Sequence, residues 1–278
     1  MKPLDVLLTY VDEDSPHGDI TSDVVIPDVT CSATIKAEDK GIVAGLEEAK
    51  LLFSHFGVLV HSGVRDGDEV CRGDELLSIQ GNARTVLLLE RTVLNIIGRM
   101  SGVATQTRMM AGIVSAVNKK CRVAATRKTC PGFRVFDKKA VTIGGGEPHR
   151  FSLSDGFLIK DNHLVLVPLR DAVHAAKKAT LYKKIEVEAE SPEAALEAAR
   201  AGADILLLDN MNYEMVKDTL DMLVQCGLRE HLIVEVSGGI NEKNLKEFAS
   251  LDVDTISIGA LTHTVRNFSV NLEIIKES

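Results

Sequence analysis

The stretch KKIEVEAESPEAALEAARAGADILLLD, Lys183–Asp209, sets two short apolar runs on either side of a segment with helical character. Ser191 followed by Pro192 and Glu193 is a helix start, and Gly202 after Ala201 is a helix stop. The predicted order is strand, helix (Ser191–Ala201), strand. The same grammar recurs outward in both directions. RVAATRK (Arg122–Lys128), DGFLIK (Asp155–Lys160), LIVEVS (Leu232–Ser237) and DTISIG (Asp254–Gly259) bring the runs to six. Further helices are predicted at Leu166–Ala179, Asn212–Cys226 and Asn241–Ser250. Strand starts roughly 20 to 30 residues apart, most with a helix between, describe a parallel sheet built from repeated strand–helix units. A seventh strand is expected at Ala140–Ile143, before the triple glycine Gly144–Gly146. Seven strands do not close an eight-stranded barrel, so an incomplete or irregular α/β barrel is predicted.

The runs end in a telling way. Their last residues are Arg127 and Lys128, Lys160, Glu186 and Glu188, Asp209, Ser237-Gly238-Gly239 and Gly259. In α/β barrels the active site is assembled from side chains at the C-terminal ends of several strands, and Gly-containing loops after the last strands often hold phosphate. Polar residues commonly close strands, but charge or glycine at every end favours a site.

The segment Thr126–His163 also carries Arg127, Lys128, Arg134, Lys138, Lys139, His149, Arg150 and Lys160 in a chain of formal net charge -8. They are interleaved with Gly, Pro, Thr and Asn and are not spaced along one helix face. The arginine fork matches carboxylates and phosphates, so a pocket for a small polyanion is a better reading than a solvated basic face. Arg127, Lys128, His149, Arg150 and Lys160 form its cationic half, Glu188 and Asp209 its acidic half. The acidic pair suits Mg²⁺ held through water, or sugar hydroxyls. Group transfer on a phosphorylated sugar fits both halves; so does a Schiff-base aldolase with Lys160 as nucleophile. Zinc fits poorly, because His149 and His163 are far apart and no Cys/His cluster has ligand spacing.

Before residue 120 the pattern is different. A short helix at Leu4–Val11, strand-like CSATIKA and GIVAG, an amphipathic helix at Leu46–Phe56, Asp/Gly turns leading into LLSIQG and a long helix from Arg84 to about Val117 describe an α+β domain. The predicted division is residues 1–115 for this sandwich-like domain and 116–266 for the barrel carrying the site. A pI near 5.5 argues against nucleic acid or an anionic membrane as partner. No apolar run is long enough to span a bilayer, and five scattered cysteines without C-x-x-C read as reduced, cytoplasmic thiols.

Nine segments then carry a resemblance over nearly the whole length. They are Gly18–Ser22, Glu90-Arg-Thr-Val-Leu-Asn95, Ser101–Thr105, Thr126-Arg-Lys-Thr129, Gly144–Gly146 with His149-Arg150, Ile159-Lys-Asp-Asn-His163, Ile185–Glu188, Leu208–Asn210 and Glu235–Gly239. In this order and spacing the chain resembles the quinolinate phosphoribosyltransferase family, the carboxylating nicotinate-nucleotide pyrophosphorylases. The resemblance implies transfer from phosphoribosyl pyrophosphate to quinolinate with decarboxylation, giving nicotinate mononucleotide, pyrophosphate and CO₂ for NAD synthesis, with Mg²⁺. It implies an N-terminal sandwich plus incomplete barrel, with the tail 267–278 returning to the first domain. It also implies a homodimer, or a hexamer built as a trimer of dimers, in which Arg91 completes the neighbour's site.

By the same similarity, Arg127, Arg150 and the neighbour's Arg91 clamp the two quinolinate carboxylates, with His149 beside them. Lys128 and Lys160 stabilise departing pyrophosphate, and Glu188 and Asp209 hold ribose hydroxyls and, through water, Mg²⁺; these four are the expected catalytic set. Ser237, Gly238, Gly239, Gly259 and Ala260 are expected to hold the 5′-phosphate by backbone N–H groups. Glu147-Pro148 stands where the family often has Asn before the His-Arg pair, a change that removes no cation. The rival readings are a non-catalytic phosphate-ligand sensor, which should lack one charged half, and a transferase for nicotinate itself, which needs one carboxylate clamp fewer.

Overall fold

The structure, a computed structural model, describes residues 3–275; residues 276–278 of the expected tail lie outside the described residues. The chain opens with helices α1 (Pro3–Asp14) and α2 (Ile20–Val25), then strands β1 (Thr30–Ala37) and β2 (Gly41–Ile42) and helix α3 (Leu46–His55). Strands β3 (Leu59–His61), β4 (Glu69–Val70) and β5 (Glu75–Asn82) lead into the long helix α4 (Ala83–Val117). Strand β6 (Arg122–Ala124), helix α5 (Arg134–Ile143), strand β7 (Phe157–Ile159) and helices α6 (Asp161–Leu164) and α7 (Leu169–Ala179) follow. The remainder alternates: β8 (Ile185–Ala189), α8 (Pro192–Ala201), β9 (Ile205–Asp209), α9 (Tyr213–Gln225), β10 (Ile233–Ser237), α10 (Glu242–Ala249), β11 (Thr255–Ser257), α11 (Ala260–His263) and β12 (Val270–Ile275). Among the described residues no helix is long and apolar enough to cross a membrane.

Two compact units result. One comprises Met1–Arg108, Thr129–Gly145 and Thr264–Ser278; the other comprises Met109–Lys128 and Gly146–His263. The expected division, 1–115 with the tail 267–278 against 116–266, differs from this one: the first boundary falls at 108/109, and residues 129–145 lie with the first unit. Side chains hold them there. Arg99 makes a two-pronged ion pair with the wholly buried Asp137, and Lys139 donates to Glu47 and Glu48 at 2.6 and 2.7 Å.

The first unit is built on an antiparallel sheet of order β12-β1-β5-β3. Cys31, Ala33, Ile35 and Ala37 alternate inward along β1, the period of a strand with one covered face. β12 pairs antiparallel with β1, with Ile35 opposite Leu272. The motif Ser101–Thr105 is explained here as packing chemistry. Ser101 Oγ accepts from the Ala44 N–H at 2.9 Å, and Thr105 Oγ1 accepts from the Ile42 N–H at 2.9 Å. A Cβ on Gly102 would stand 2.3 Å from the Arg266 carbonyl oxygen, so only glycine fits.

The expected strand at Ala140–Ile143 is instead the end of α5. Phe136, Ala140 and Val141 are buried at i, i+4 and i+5, which is a helical spacing, and the Gly144 N–H closes the helix on Ala140 O. At the first position of the triple glycine, Gly144, a Cβ would lie 2.6 Å from Ala104 O, so glycine is required there by packing.

The second unit contains the six strands expected from the sequence, as one parallel sheet of order β6-β11-β10-β9-β8-β7. β6 and β7 are its edges and do not pair, so the barrel is incomplete. Helix α7 begins three residues later than predicted, because the chain after β7 first makes the single turn α6 and Pro168 then sits at the N-cap of α7. One face of each strand is apolar: Ile185, Val187, Leu206, Leu208, Val234, Val236 and Ile256 are buried in a core with α7 to α10. The alternate positions face the other way, and they mix leucine with carboxylate and hydroxyl side chains: Leu158, Glu186, Glu188, Leu207, Glu235, Ser237 and Ser257.

Candidate active site

Strand periodicity builds the site. With Val187 in the core, its neighbours Glu186 and Glu188 must point to the opposite face, and the same alternation turns Glu235 and Ser237 away from Val234 and Val236. Parallel pairing sets Glu188 opposite Leu207, Leu207 opposite Glu235, and Asp209 opposite Ser237. These residues line a cavity of about 350 Å³ together with Thr126, Arg127, Lys128, His149, Arg150, Leu158, Lys160, Glu186 and Ser257. All belong to the second unit.

Eight of the thirteen expected site residues therefore meet at one cavity: Arg127, Lys128, His149, Arg150, Lys160, Glu188, Asp209 and Ser237. Gly238, Gly239, Gly259 and Ala260 do not line it; they follow the ends of β10 and β11. Gly238 and Gly239 have φ of 90° and 63°, in the left-handed region that glycine tolerates. Arg91 is exposed on α4 in the first unit. Of the cationic block, Arg134, Lys138 and Lys139 do not reach the cavity; they lie on α5 in the first unit, Lys138 buried and Lys139 paired with acids.

The cations and carboxylates interlock. Lys160 Nζ donates to Glu188 Oε2 at 2.5 Å, and the Lys160 backbone N–H donates to His163 Nδ1 at 2.9 Å. His163 thus fixes the turn that carries the lysine, which accounts for the Ile159–His163 motif. Asp209 Oδ2 accepts from Asn210 Nδ2 at 2.6 Å. Arg150 Nη1 donates to Gly156 O at 3.2 Å, while the buried Nε atoms of both Arg127 and Arg150 make no hydrogen bond. A carboxylate or phosphate ligand would supply the acceptors they lack. His149 and Asn210 are the non-glycine residues of positive φ, both 56°, among the described residues, and strain of that kind concentrates at functional sites.

Six lining residues stand outside the expected set: Thr126, Leu158, Leu207, Ser257 and two carboxylates, Glu186, named above only as a strand-end residue, and Glu235. Glu186 Oε1 is buried without a hydrogen bond, and burial, with the neighbouring charge of Glu235, pushes its carboxyl up to about 7 against the pull of His149, Arg150 and Lys160. His149 Nε2 lies 3.0 Å from Glu235 Oε2 and 3.9 Å from Glu186 Oε1. Their signal was present in IEVEA and IVEVS, where carboxylates occupy alternate positions of an otherwise apolar strand.

An open parallel α/β sheet whose strand ends surround one cavity with four cations, a histidine and four carboxyl groups defines an enzyme of the phosphoryl-sugar or multiply acidic substrate class. The comparisons are more specific. The pattern described as "Quinolinate phosphoribosyl transferase, C-terminal domain" matches residues 103–273, and the corresponding N-terminal domain matches 19–101. The chain belongs to the quinolinate phosphoribosyl transferase family. It is 43% identical over 274 residues to a Methanothermobacter thermautotrophicus protein named "Probable nicotinate-nucleotide pyrophosphorylase (carboxylating)", with 98% of each chain covered. A protein of the same name from Archaeoglobus fulgidus is 42% identical over 261 residues, covering 94% of this chain and 100% of that one. The crystal structure of nicotinate-nucleotide pyrophosphorylase from Ehrlichia chaffeensis superposes with a TM-score of 0.92 at 31% identity, covering 99% of each chain.

Proposed function

We propose that this protein is a carboxylating nicotinate-nucleotide pyrophosphorylase, joining quinolinate to the ribosyl group of phosphoribosyl pyrophosphate in NAD biosynthesis. The observation that carries the reading to the site is the pair of buried, unpartnered guanidinium nitrogens of Arg127 and Arg150 at a cavity shared with Glu188 and Asp209. Two planar forks suit the two carboxylates of an aromatic di-acid, and holding both fixes the ring nitrogen toward the anomeric carbon.

The ring nitrogen forms a bond to that carbon as the bond to pyrophosphate breaks. Lys128 and Lys160 stabilise the negative charge that leaves with pyrophosphate. Glu188 and Asp209 would hold ribose hydroxyls, and their charge would favour a sugar ring that develops cationic character. The positively charged pyridinium then accepts the electron pair left when CO₂ departs, and a proton takes its place on the ring. No further redox partner is needed for that balance.

Glu188 and Asp209 are hard carboxylate donors lining one cavity, the kind of ligand set that binds Mg²⁺ through one or two carboxylates, waters and substrate phosphates. When bound, Mg²⁺ would neutralise pyrophosphate charge. Ser237 with Gly238, Gly239, Gly259 and Ala260 offers backbone N–H groups to the 5′-phosphate, a reading supported by the left-handed turn at Gly238–Gly239. The exposed Arg91 is assigned to the cavity of a second copy in a homodimer or a trimer of dimers. The five unbridged cysteines suit the cytoplasm.

The test is turnover of quinolinate and phosphoribosyl pyrophosphate with Mg²⁺, reading nicotinate mononucleotide and CO₂ together. Equal amounts of both are expected; nucleotide from nicotinate without CO₂ would instead favour the single-acid transferase. Arg150→Ala is expected to keep its melting transition and to lose roughly a hundredfold or more in kcat/KM for quinolinate, since it removes a bidentate clamp. A near-normal rate would remove Arg150 from the site.

A further inference from the structure

Neither the carboxylate clamp nor the phosphate turn uses Glu235, yet it is 4% exposed at the floor of the cavity and makes a 3.0 Å contact with His149 Nε2. A carboxylate can only accept, so Nε2 carries the proton and donates it to Glu235 Oε2. Strand geometry leaves Glu235 little freedom. It stands between the buried Val234 and Val236, and its strand is paired on both sides, to β9 and to β11. His149 is the opposite case. It sits outside any strand or helix with φ of 56°, a conformation that a side chain bearing Cβ holds only when its surroundings impose it.

The backbone before it is tied to the sheet edge, with Glu147 N–H on Val123 O at 2.8 Å and Ala125 N–H on Glu147 O at 2.9 Å. The ring itself faces two carboxyl groups, Glu235 at 3.0 Å and Glu186 at 3.9 Å. Arg150, the next residue, inherits that backbone course, so the placement of one cavity cation bears on another.

We propose that Glu235 is a positioning residue for the aromatic di-acid: it fixes the ring orientation of His149 on which the carboxylate-binding half of the cavity depends. The inference rests on the function proposed above and assigns Glu235 no contact with the reacting atoms. Glu186 has a supporting part, since its carboxylate faces the same ring nitrogen from the neighbouring side. Metal-ligating histidines offer the analogy: there, losing the buried carboxylate on the other ring nitrogen weakens binding without removing the ligating residue.

The role separates the two substrates. Glu235→Gln keeps the shape and removes the obligate acceptor, and it is expected to raise KM for quinolinate roughly tenfold, the scale of lost outer carboxylate partners, with KM for phosphoribosyl pyrophosphate changed less than about twofold. His149→Asn is expected to do the same, and the double variant to be no worse than His149→Asn alone, because one effect acts through the other. Multiplying losses, or equal shifts in both KM values, would overturn the positioning role. Should Glu235→Gln not fold at the assay temperature, Glu235→Asp, which keeps the charge but withdraws it by one methylene, is expected to give the same quinolinate-selective change. A wild type that turns over no quinolinate defeats the proposed function itself; an active wild type matched by Glu235→Gln defeats only this inference.

Discussion

Glu186 shows how a residue can serve a site at the fold's expense. Burial and the charge of Glu235 raise its carboxyl to about 7, well above the ordinary carboxylate value of 4.5. Between those two values the unfolded chain has released a proton that the folded chain keeps, so stability falls as pH rises through this window. The full cost above it is on the order of 3 kcal/mol. Glu186→Gln, neutral at every pH, is expected to melt higher than wild type at pH 8 and to lose that advantage at pH 4. Parallel melting curves across the range would show that burial is not what raises the group. Gly238 is the complementary case of a residue chosen for space. A Cβ there would stand 2.2 Å from Asn210 Oδ1 and 2.6 Å from the Asn210 backbone nitrogen, and Asn210 is the side chain that donates to Asp209. Gly238→Ala is expected to displace Asp209 and reduce kcat on the order of a hundredfold, the effect of an ångström-scale misplacement. An alanine variant with unchanged kcat would show that the turn can shift without moving the carboxylate.

Among the elements, those with one strong period are legible in residue order alone. The six parallel strands, the inward alternation of β1 and the wide apolar face of α4 all follow from the spacing of their apolar residues. α5 is less legible in this way, because the apolar residues of RVFDKKAVTI crowd its two ends and its buried face includes Asp137 and Lys138, so Ala140–Ile143 passes for a strand. Charged residues buried by tertiary partners leave no periodic trace. The cationic block misleads for the same reason: Lys139 is satisfied by Glu47 and Glu48, nearly a hundred residues away in the chain. Glu235 escapes notice because a lone carboxylate in a strand looks like ordinary alternation until the ring it faces is known. α4 offers a direct test of packing. Gly102→Ala would set a methyl group 2.3 Å from the Arg266 carbonyl, and backbone cannot yield as a side-chain tip can. It is expected to cost about 1–3 kcal/mol in denaturant unfolding, the usual penalty of overpacking. An unchanged midpoint would mean that the segment around Arg266 is free to shift.

At the scale of the whole molecule, the cavity is assembled from one unit alone, while Arg91 belongs to the other. Sequence resemblance assigns that arginine to a neighbouring subunit, and its role is tested by complementation. Arg91→Ala and Lys160→Ala are each expected to be nearly inactive. Mixed after dissociation and reassociation, they are expected to recover up to about a quarter of wild-type activity, the statistical share of sites that draw both intact residues when each dimer site takes one from each subunit. A mixture that stays inactive would count against a shared site.

The antiparallel pairing of β12 with β1 has a consequence for how the chain is made. The ribosome delivers β1 long before the strand that covers its edge, and the six strands of the parallel sheet are made in between. Most of the second unit, Met109–Lys128 and Gly146–His263, has left the exit tunnel by then. The usual vectorial order, N-terminal domain first, is therefore inverted here: the sheet of the first unit waits with a bare edge until β12 has emerged, and nascent chains stalled before β12 are the ones most in need of a chaperone.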